Sequence, residues 1–177
     1  MQYPVSAIFF VALGCDLAYS FPTKIQHVTS SALDTAQGNW EADTAIVSSF
    51  LSSADSFSGT TLANAAQTAL NAENNELTQK VVLDNQFVFV NNPNPTVQKA
   101  NAVLVDQGTF QFVVNGLQNL ATNGATMSAA QVSAAVASIN TDRCNKVLPA
   151  IDQYFTAASS FLKNGQLLKA VRPTNCP

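Results

Sequence analysis

The stretch from Thr68 to Phe87, TALNAENNELTQKVVLDNQF, limits most strongly what this chain can fold into. Ala, Leu, Gln, Glu and Lys dominate from Leu62 to Val82, and these are strong helix formers. Glu76 with Lys80, and Lys80 with Asp84, are i,i+4 pairs that support a helix. Helical spacing places Ala69, Leu70, Leu77, Val81 and Phe87 on one inner face, and Glu73 and Asp84 fall on that same face. The two acids lie about three turns apart, roughly 16 Å along the axis. That exceeds the ~5 to 10 Å needed by a carboxylate pair working across one bond. The expectation is ordinary helix chemistry. Asp84 stands near the helix end, Lys80 answers one acid from the edge of the face, and Glu73 pairs with a polar group on a neighbouring element.

The remaining chain carries further helix signals. Asn39 can cap a helix starting at Trp40, with Glu41 and Asp43 in its first turn and Trp40, Val47, Phe50, Leu51 and Ala54 facing inward. SFSGTT breaks that helix, and Thr60 or Thr61 can cap the next. Asn94-Pro95 is a cap and first-turn pair for a third segment, which Gly108 interrupts and Asn123-Gly124 stops. Ser128-x-x-Gln131 has the form of a capping box. Val132, Val136, Ile139, Val147, Ile151, Tyr154, Ala158 and Phe161 follow at helical spacing, with Pro149 set to kink or split the run. A short helical piece around Gly165–Val171 is expected before the tail. Two runs compete with this reading. FVFV at 87–90 and TFQFVV at 109–114 are rich in β-formers with period two, so a hairpin or small sheet is the alternative. The flanks of the second favour helix, and the first reads as a helix end fraying into an extended loop. The expected architecture is an all-α, four- to five-helix bundle: a single domain over 39–177, preceded by an extended lead-in over 21–38 with room for a short helical turn around Ala32–Ala36.

Residues 1–20 read as a signal peptide. Val5–Leu13 has the length of a signal h-region and is too short for a membrane span of roughly 20 residues, and Ala18-Tyr19-Ser20 supplies a small-x-small site before Phe21. No Lys or Arg precedes the apolar run, and a buried N-terminal helix is the competing reading. Cysteine usage agrees with export. Cys15 leaves with the signal, and Cys144 and Cys176 remain as an even pair that forms one disulfide in an oxidising compartment, two free thiols being the alternative. The tail after Leu167 is not an apolar lipid-anchor signal. The expected location is secreted: extracellular or the cell wall.

Composition excludes several function classes. Charged residues are 11% of the chain against a typical ~25%, while apolar residues are 47%, enough for a core. The net charge is −3, and the eight Lys and Arg are scattered, which argues against nucleic acid and against a polybasic membrane contact. The chain contains no nucleophile elbow, phosphate loop, calcium loop or C-x-x-C motif, and its one histidine, His27, lies in the lead-in. A non-enzyme with no metal and no cofactor is the expectation.

What remains is aromatic material. Phe87, Phe110, Phe112, Tyr154, Phe155 and Phe161 stand among Ala and Val. They are either core packing or the lining of an apolar slot between helices, where bundles bind ligands. Three stretches, TTLANAAQTALNAENNELTQK, QGTFQFVVNGLQNLA and CNKVLPAIDQYFTAA, resemble small secreted helical proteins of filamentous fungi of the hydrophobic-surface-binding and cell-wall-antigen type. The resemblance spans most of the mature chain in style and assigns no residue a role. It implies an extracellular helical bundle that captures a fatty acid or sterol, or adsorbs to a hydrophobic surface. A cell-wall structural protein, or a secreted effector acting through protein or polysaccharide contacts, is the alternative.

Overall fold

Thr29 opens the first helix by accepting the Ala32 N–H at its Oγ1, 3.1 Å away. The computed structural model describes residues 28–177, so the expected signal peptide, its cleavage site, Cys15 and His27 lie outside the described residues. The chain runs α1 (Ser30–Ser53), α2 (Gly59–Phe87), α3 (Pro95–Asn101), α4 (Thr109–Asn123), α5 (Ala129–Asp142) and α6 (Leu148–Leu162). Wide π-type turns extend α3 (Ala102–Asp106) and join α5 to α6 (Arg143–Val147), leaving five helical rods. The fold is an all-α bundle in a single domain, with no strand among the described residues.

The lead-in expected over 21–38 is corrected from Ser30 onward, where the chain is already helical. Leu33 and Ala36 continue the register of Trp40, Val47, Phe50 and Leu51, and all are buried. Their burial offsets the ~1 kcal/mol that Gly38 costs inside a helix. The second helix starts at Gly59 behind Ser58, not behind Thr60 or Thr61. Asn94 caps α3 as expected, its Oδ1 accepting from the Thr96 and Val97 N–H groups. The Ser128–Gln131 capping box is complete. TFQFVV is helical within α4, and FVFV is a helix end running into turns rather than a strand.

Rods α1 and α2 are joined by a short turn and pack along each other. Helix α4 packs on α2, and α6 packs on α1 and α3. Gly116 lets α4 approach α5: a Cβ there would come within 2.6 Å of Ile139 Cγ1. Pro149 explains the second wide turn. It has no N–H for a regular bond, and the N–H of Leu148 before it reaches back five residues to the Arg143 carbonyl.

Past α6 the helix expected around Gly165–Val171 is absent. Lys163 and Gly165 adopt left-handed backbone angles and end the helix. The tail then runs extended, and side chains take its backbone hydrogen bonds. Thr44, Ser48 and Ser52, one turn apart on α1, bond the Val171 N–H, the Val171 carbonyl and the Thr174 N–H. Asp152 on α6 accepts from the Ala170 N–H and from Arg172. The Cys144–Cys176 disulfide, a 32-residue separation, closes the strap. Cys176→Ser should lower unfolding free energy by ~3 to 4 kcal/mol. Hydrogen exchange should show the Ala170, Val171 and Thr174 amides losing protection before the helices do.

Candidate functional site

The inner face of α2 follows a seven-residue repeat. Leu62, Ala69, Glu76 and Leu83 form one buried row, and Ala66, Glu73, Lys80 and Phe87 form the other. The face predicted through Leu77 and Val81 is corrected: these two are 42% and 54% exposed. The helix is turned so that its charged residues, not those aliphatic ones, enter the core.

The reason is Arg143, seventy residues away in sequence. Its guanidinium donates to Glu73 Oε2 at 2.5 Å and to Glu76 Oε1 at 3.0 Å, and all three side chains are fully buried. Trp40 Nε1–H donates to Glu76 Oε2 at 2.8 Å. One cation thus faces two carboxylates. Burial drives the Glu73 carboxyl well above the usual carboxylate range; Arg143 opposes this, and the neighbouring Glu76 charge adds to it. Glu76 is raised less, again mainly by burial, with Arg143 and Trp40 opposing. Burial works against the Arg143 charge, but the two carboxylates outweigh it and hold the guanidinium protonated. Glu73 is thus the carboxyl pushed further toward its protonated form, and Glu76, with donors from both Arg143 and Trp40, is the one better held ionised.

A second network lies one turn along. Lys80 donates to Asp84 Oδ2 and to Asn101 Oδ1, both at 2.5 Å, and the Tyr154 hydroxyl donates to Asp84 Oδ1 at 2.7 Å. Burial and the Asp84 charge push the Tyr154 hydroxyl above its ordinary range. The expected Lys80–Asp84 pair is present, and Glu73 finds the polar neighbour expected of it. Sequence reasoning missed Glu76 as a buried partner, and missed Arg143 and Asn101 altogether. The signal available was the seven-residue spacing that joins Glu73, Glu76 and Lys80 to Leu62 and Leu83. No solvent reaches Glu73, Glu76 or Arg143, so this arrangement ties helices together rather than meeting a ligand.

The six aromatic candidates divide. Phe87, Phe110, Tyr154 and Phe155 are core residues, with Trp40 tilted against Tyr154 at 5.3 Å and edge-on to Phe155 at 5.8 Å. Phe112 and Phe161 stand in solvent, and Phe161 meets Phe87 edge-on. The structure does not gather them into one slot. An uncharged opening lies elsewhere, in a groove of about 520 Å³ between α1 and α2. It is walled by Ile46, Phe50, Phe57, Ala65 and Ala69, with only Ser49, Ser53 and Thr68 as polar side chains. No charged residue borders it.

Among the described residues no three His, Cys, Asp or Glu side chains gather as a metal site, and no helix is long and apolar enough to cross a membrane. Comparison with known protein families, with characterised proteins and with solved structures finds no match in any of the three.

Arg143→Met should cost about 3 to 5 kcal/mol by stranding buried carboxylates. Glu73→Gln puts a neutral amide in this place, so its stability should lie nearest the parent's at low pH, where the parent's Glu73 is neutral in both folded and unfolded states. The folded state of the parent holds the Glu73 proton more tightly than the unfolded chain. The contribution is therefore full below the ordinary value of 4.5 and is lost as pH rises through the folded value. Urea midpoints measured from pH 4 to 9 should fall with pH in the parent and flatten in Glu73→Gln.

Proposed function

We propose that the protein is a secreted, extracellular or cell-wall, non-enzymatic binder of apolar matter: the hydrocarbon part of a fatty acid or sterol, or a hydrophobic surface. The observation that carries this reading is the uncharged α1–α2 groove. Its volume of about 520 Å³ falls in the ~300 to 1,000 Å³ range of small-molecule sites. Its walls are mostly aliphatic and aromatic, broken by the hydroxyls of Ser49, Ser53 and Thr68, and Ile46 stands 44% exposed at its edge. An acyl chain laid there removes apolar surface from water at roughly 25 cal/mol per Å², with no charge left unpaired.

Two further features support the reading. Leu77 and Val81, one turn apart on α2, present aliphatic surface outward. Charged residues are only 11% of the chain, so an approaching apolar surface strips little charge of its water. The resemblance to secreted fungal surface-binding proteins points the same way.

The test is titration of the purified protein with a fluorescent long-chain fatty acid, alongside adsorption to polystyrene beads. Ile46→Asp puts a charge at the rim without disturbing the core and should weaken fatty-acid binding about tenfold or more. Leu77→Ser with Val81→Ser should reduce bead adsorption while leaving the groove intact. If the parent takes up neither probe, the reading fails. If Ile46→Asp binds the fatty acid as the parent does, the groove is not the site.

A further inference from the structure

Lys80 is the one buried lysine among the described residues, only 5% exposed. Its Nζ lies 2.5 Å from Asp84 Oδ2 and 2.5 Å from Asn101 Oδ1. An ion pair accounts for the first contact. The second sets an amine against a carboxamide, and those two groups can react with each other. The Asn101 Cγ is one C=O bond, about 1.2 Å, from its oxygen, which puts Nζ at most ~3.7 Å from that carbon, close to the ~3 to 3.5 Å of a near-attack contact.

Three helices deliver these groups. Lys80 belongs to the buried face of α2, so its side chain has to run between helices. Asn101 is the last residue of α3, where the wide turn Ala102–Asp106 begins. Tyr154 on α6 closes the site, its ring centroid 5.6 Å from Nζ. The Tyr154 hydroxyl is 2.7 Å from Asp84 Oδ1 and 3.3 Å from Asn101 Oδ1.

The arrangement supplies what an exchange of one amide for another needs. The amine must lose a proton before it can attack, and Asp84 is in hydrogen-bond contact to take it. Negative charge then develops on Asn101 Oδ1, within reach of the Tyr154 hydroxyl. Burial and the Asp84 charge keep that hydroxyl protonated, so it remains a donor. Asn101 makes its contacts through Oδ1, which leaves Nδ2 unengaged among the described residues. The residue is half-buried, so released ammonia has a way out. Water is the competing nucleophile, and the burial of Lys80, Asp84 and Tyr154 excludes it.

We propose that the folded chain joins Lys80 to Asn101 through an intramolecular isopeptide bond, with Asp84 carrying the proton and Tyr154 donating to the developing oxyanion. Asp84 takes a proton from the Nζ ammonium. The freed lone pair attacks Asn101 Cγ, and the C=O electrons move onto Oδ1. Asp84 passes its proton to Nδ2. The C–Nδ2 bond breaks as the C=O re-forms, ammonia departs, and the surplus proton on the attacking nitrogen leaves with it as ammonium. No oxidant and no co-reactant enter. The reaction happens once per chain and is a self-modification. It ties α2 to α3 by a bond that reductants do not open, and it is independent of the α1–α2 groove.

The experiment is intact-mass spectrometry of the purified full chain with its disulfide reduced, both fresh and after incubation at neutral pH. The mass should fall below that of the sequence by one ammonia, about 17 Da. Trypsin should leave Lys80 uncut, in a branched peptide bridged to Asn101. Lys80→Arg and Asn101→Ala should each show the full mass of their sequences, and Asp84→Asn should remain mostly unlinked. Tyr154→Phe should slow the accumulation of linked chain roughly a hundredfold. Circular dichroism checks that parent and variants are folded. The proposal is overturned if the folded parent keeps its full mass and is cleaved after Lys80, if the loss of ammonia persists in Lys80→Arg, or if Asp84→Asn links as completely as the parent.

Discussion

Arg143 buried between Glu73 and Glu76 is the interaction on which the rest of the bundle depends. A guanidinium taken out of water loses several kcal/mol of solvation, and so does each carboxylate. None of the three tolerates burial alone, so the fold must deliver all of them to one point. That requirement fixes the rotation of α2 about its own axis, because only one turn of the helix brings Glu73, Glu76 and Lys80 inward together. It also fixes the register of the α5–α6 rod, which must present Arg143 opposite them. Trp40 then locks α1 to the same carboxylate. Three rods are held by one cluster, and the Lys80–Asp84–Asn101–Tyr154 network one turn along ties α3 and α6 to the same face of α2.

The rotation has an outward consequence. With the charged row inside, Leu77 and Val81 have nowhere to go but the surface. Burying those two aliphatics instead would gain about 1.5 to 3 kcal/mol each in transfer terms. The charged cluster outweighs that gain because stranding even one of its members is costlier. An apolar exterior on α2 is thus a by-product of an ionic interior.

This also shows why the sequence was legible in some places and not in others. Asn94-Pro95 and Ser128-x-x-Gln131 are read correctly because each cap is complete within a few residues and needs no distant partner. The inward set from Trp40 to Ala54 is read correctly because its apolar members share one helical stripe, although Asp43, Thr44 and Ser48 are buried beside them. On α2 two stripes compete, one through Leu77 and Val81 and one through Glu73, Glu76 and Lys80. Periodicity favours the first, and the partner that decides for the second lies in another rod. The start of α1 is missed because Gly38 looks like a break, whereas Leu33 and Ala36 gain enough burial to carry the helix past it. The extended tail is missed for a similar reason: its backbone partners are Thr44, Ser48, Ser52 and Asp152, which look like ordinary surface residues until the strap lies on them. The aromatic set is half legible, since Phe110 and Phe112 are two residues apart on one helix and so face opposite environments.

The wide turn at Arg143–Val147 links the interior to the surface. A regular helix through this segment would leave the Asn145 carbonyl facing Pro149, which has no N–H to offer. The backbone resolves this by widening, with Leu148 bonding back to Arg143. The widened turn sends Arg143 into the core, where it meets its two acids, and leaves Asn145 and Lys146 on the outer side beside Asp142. The position of one proline therefore shapes both the buried ion cluster and the surface hollow that Asp142, Asn145 and Lys146 line. A change that restored regular helix there, such as Pro149→Ala, would remove the cause of the widening. It would press Arg143 away from Glu73 and Glu76 and reshape that hollow at the same time. Interior packing and surface shape are coupled in this segment because the same extra residue in the turn serves both.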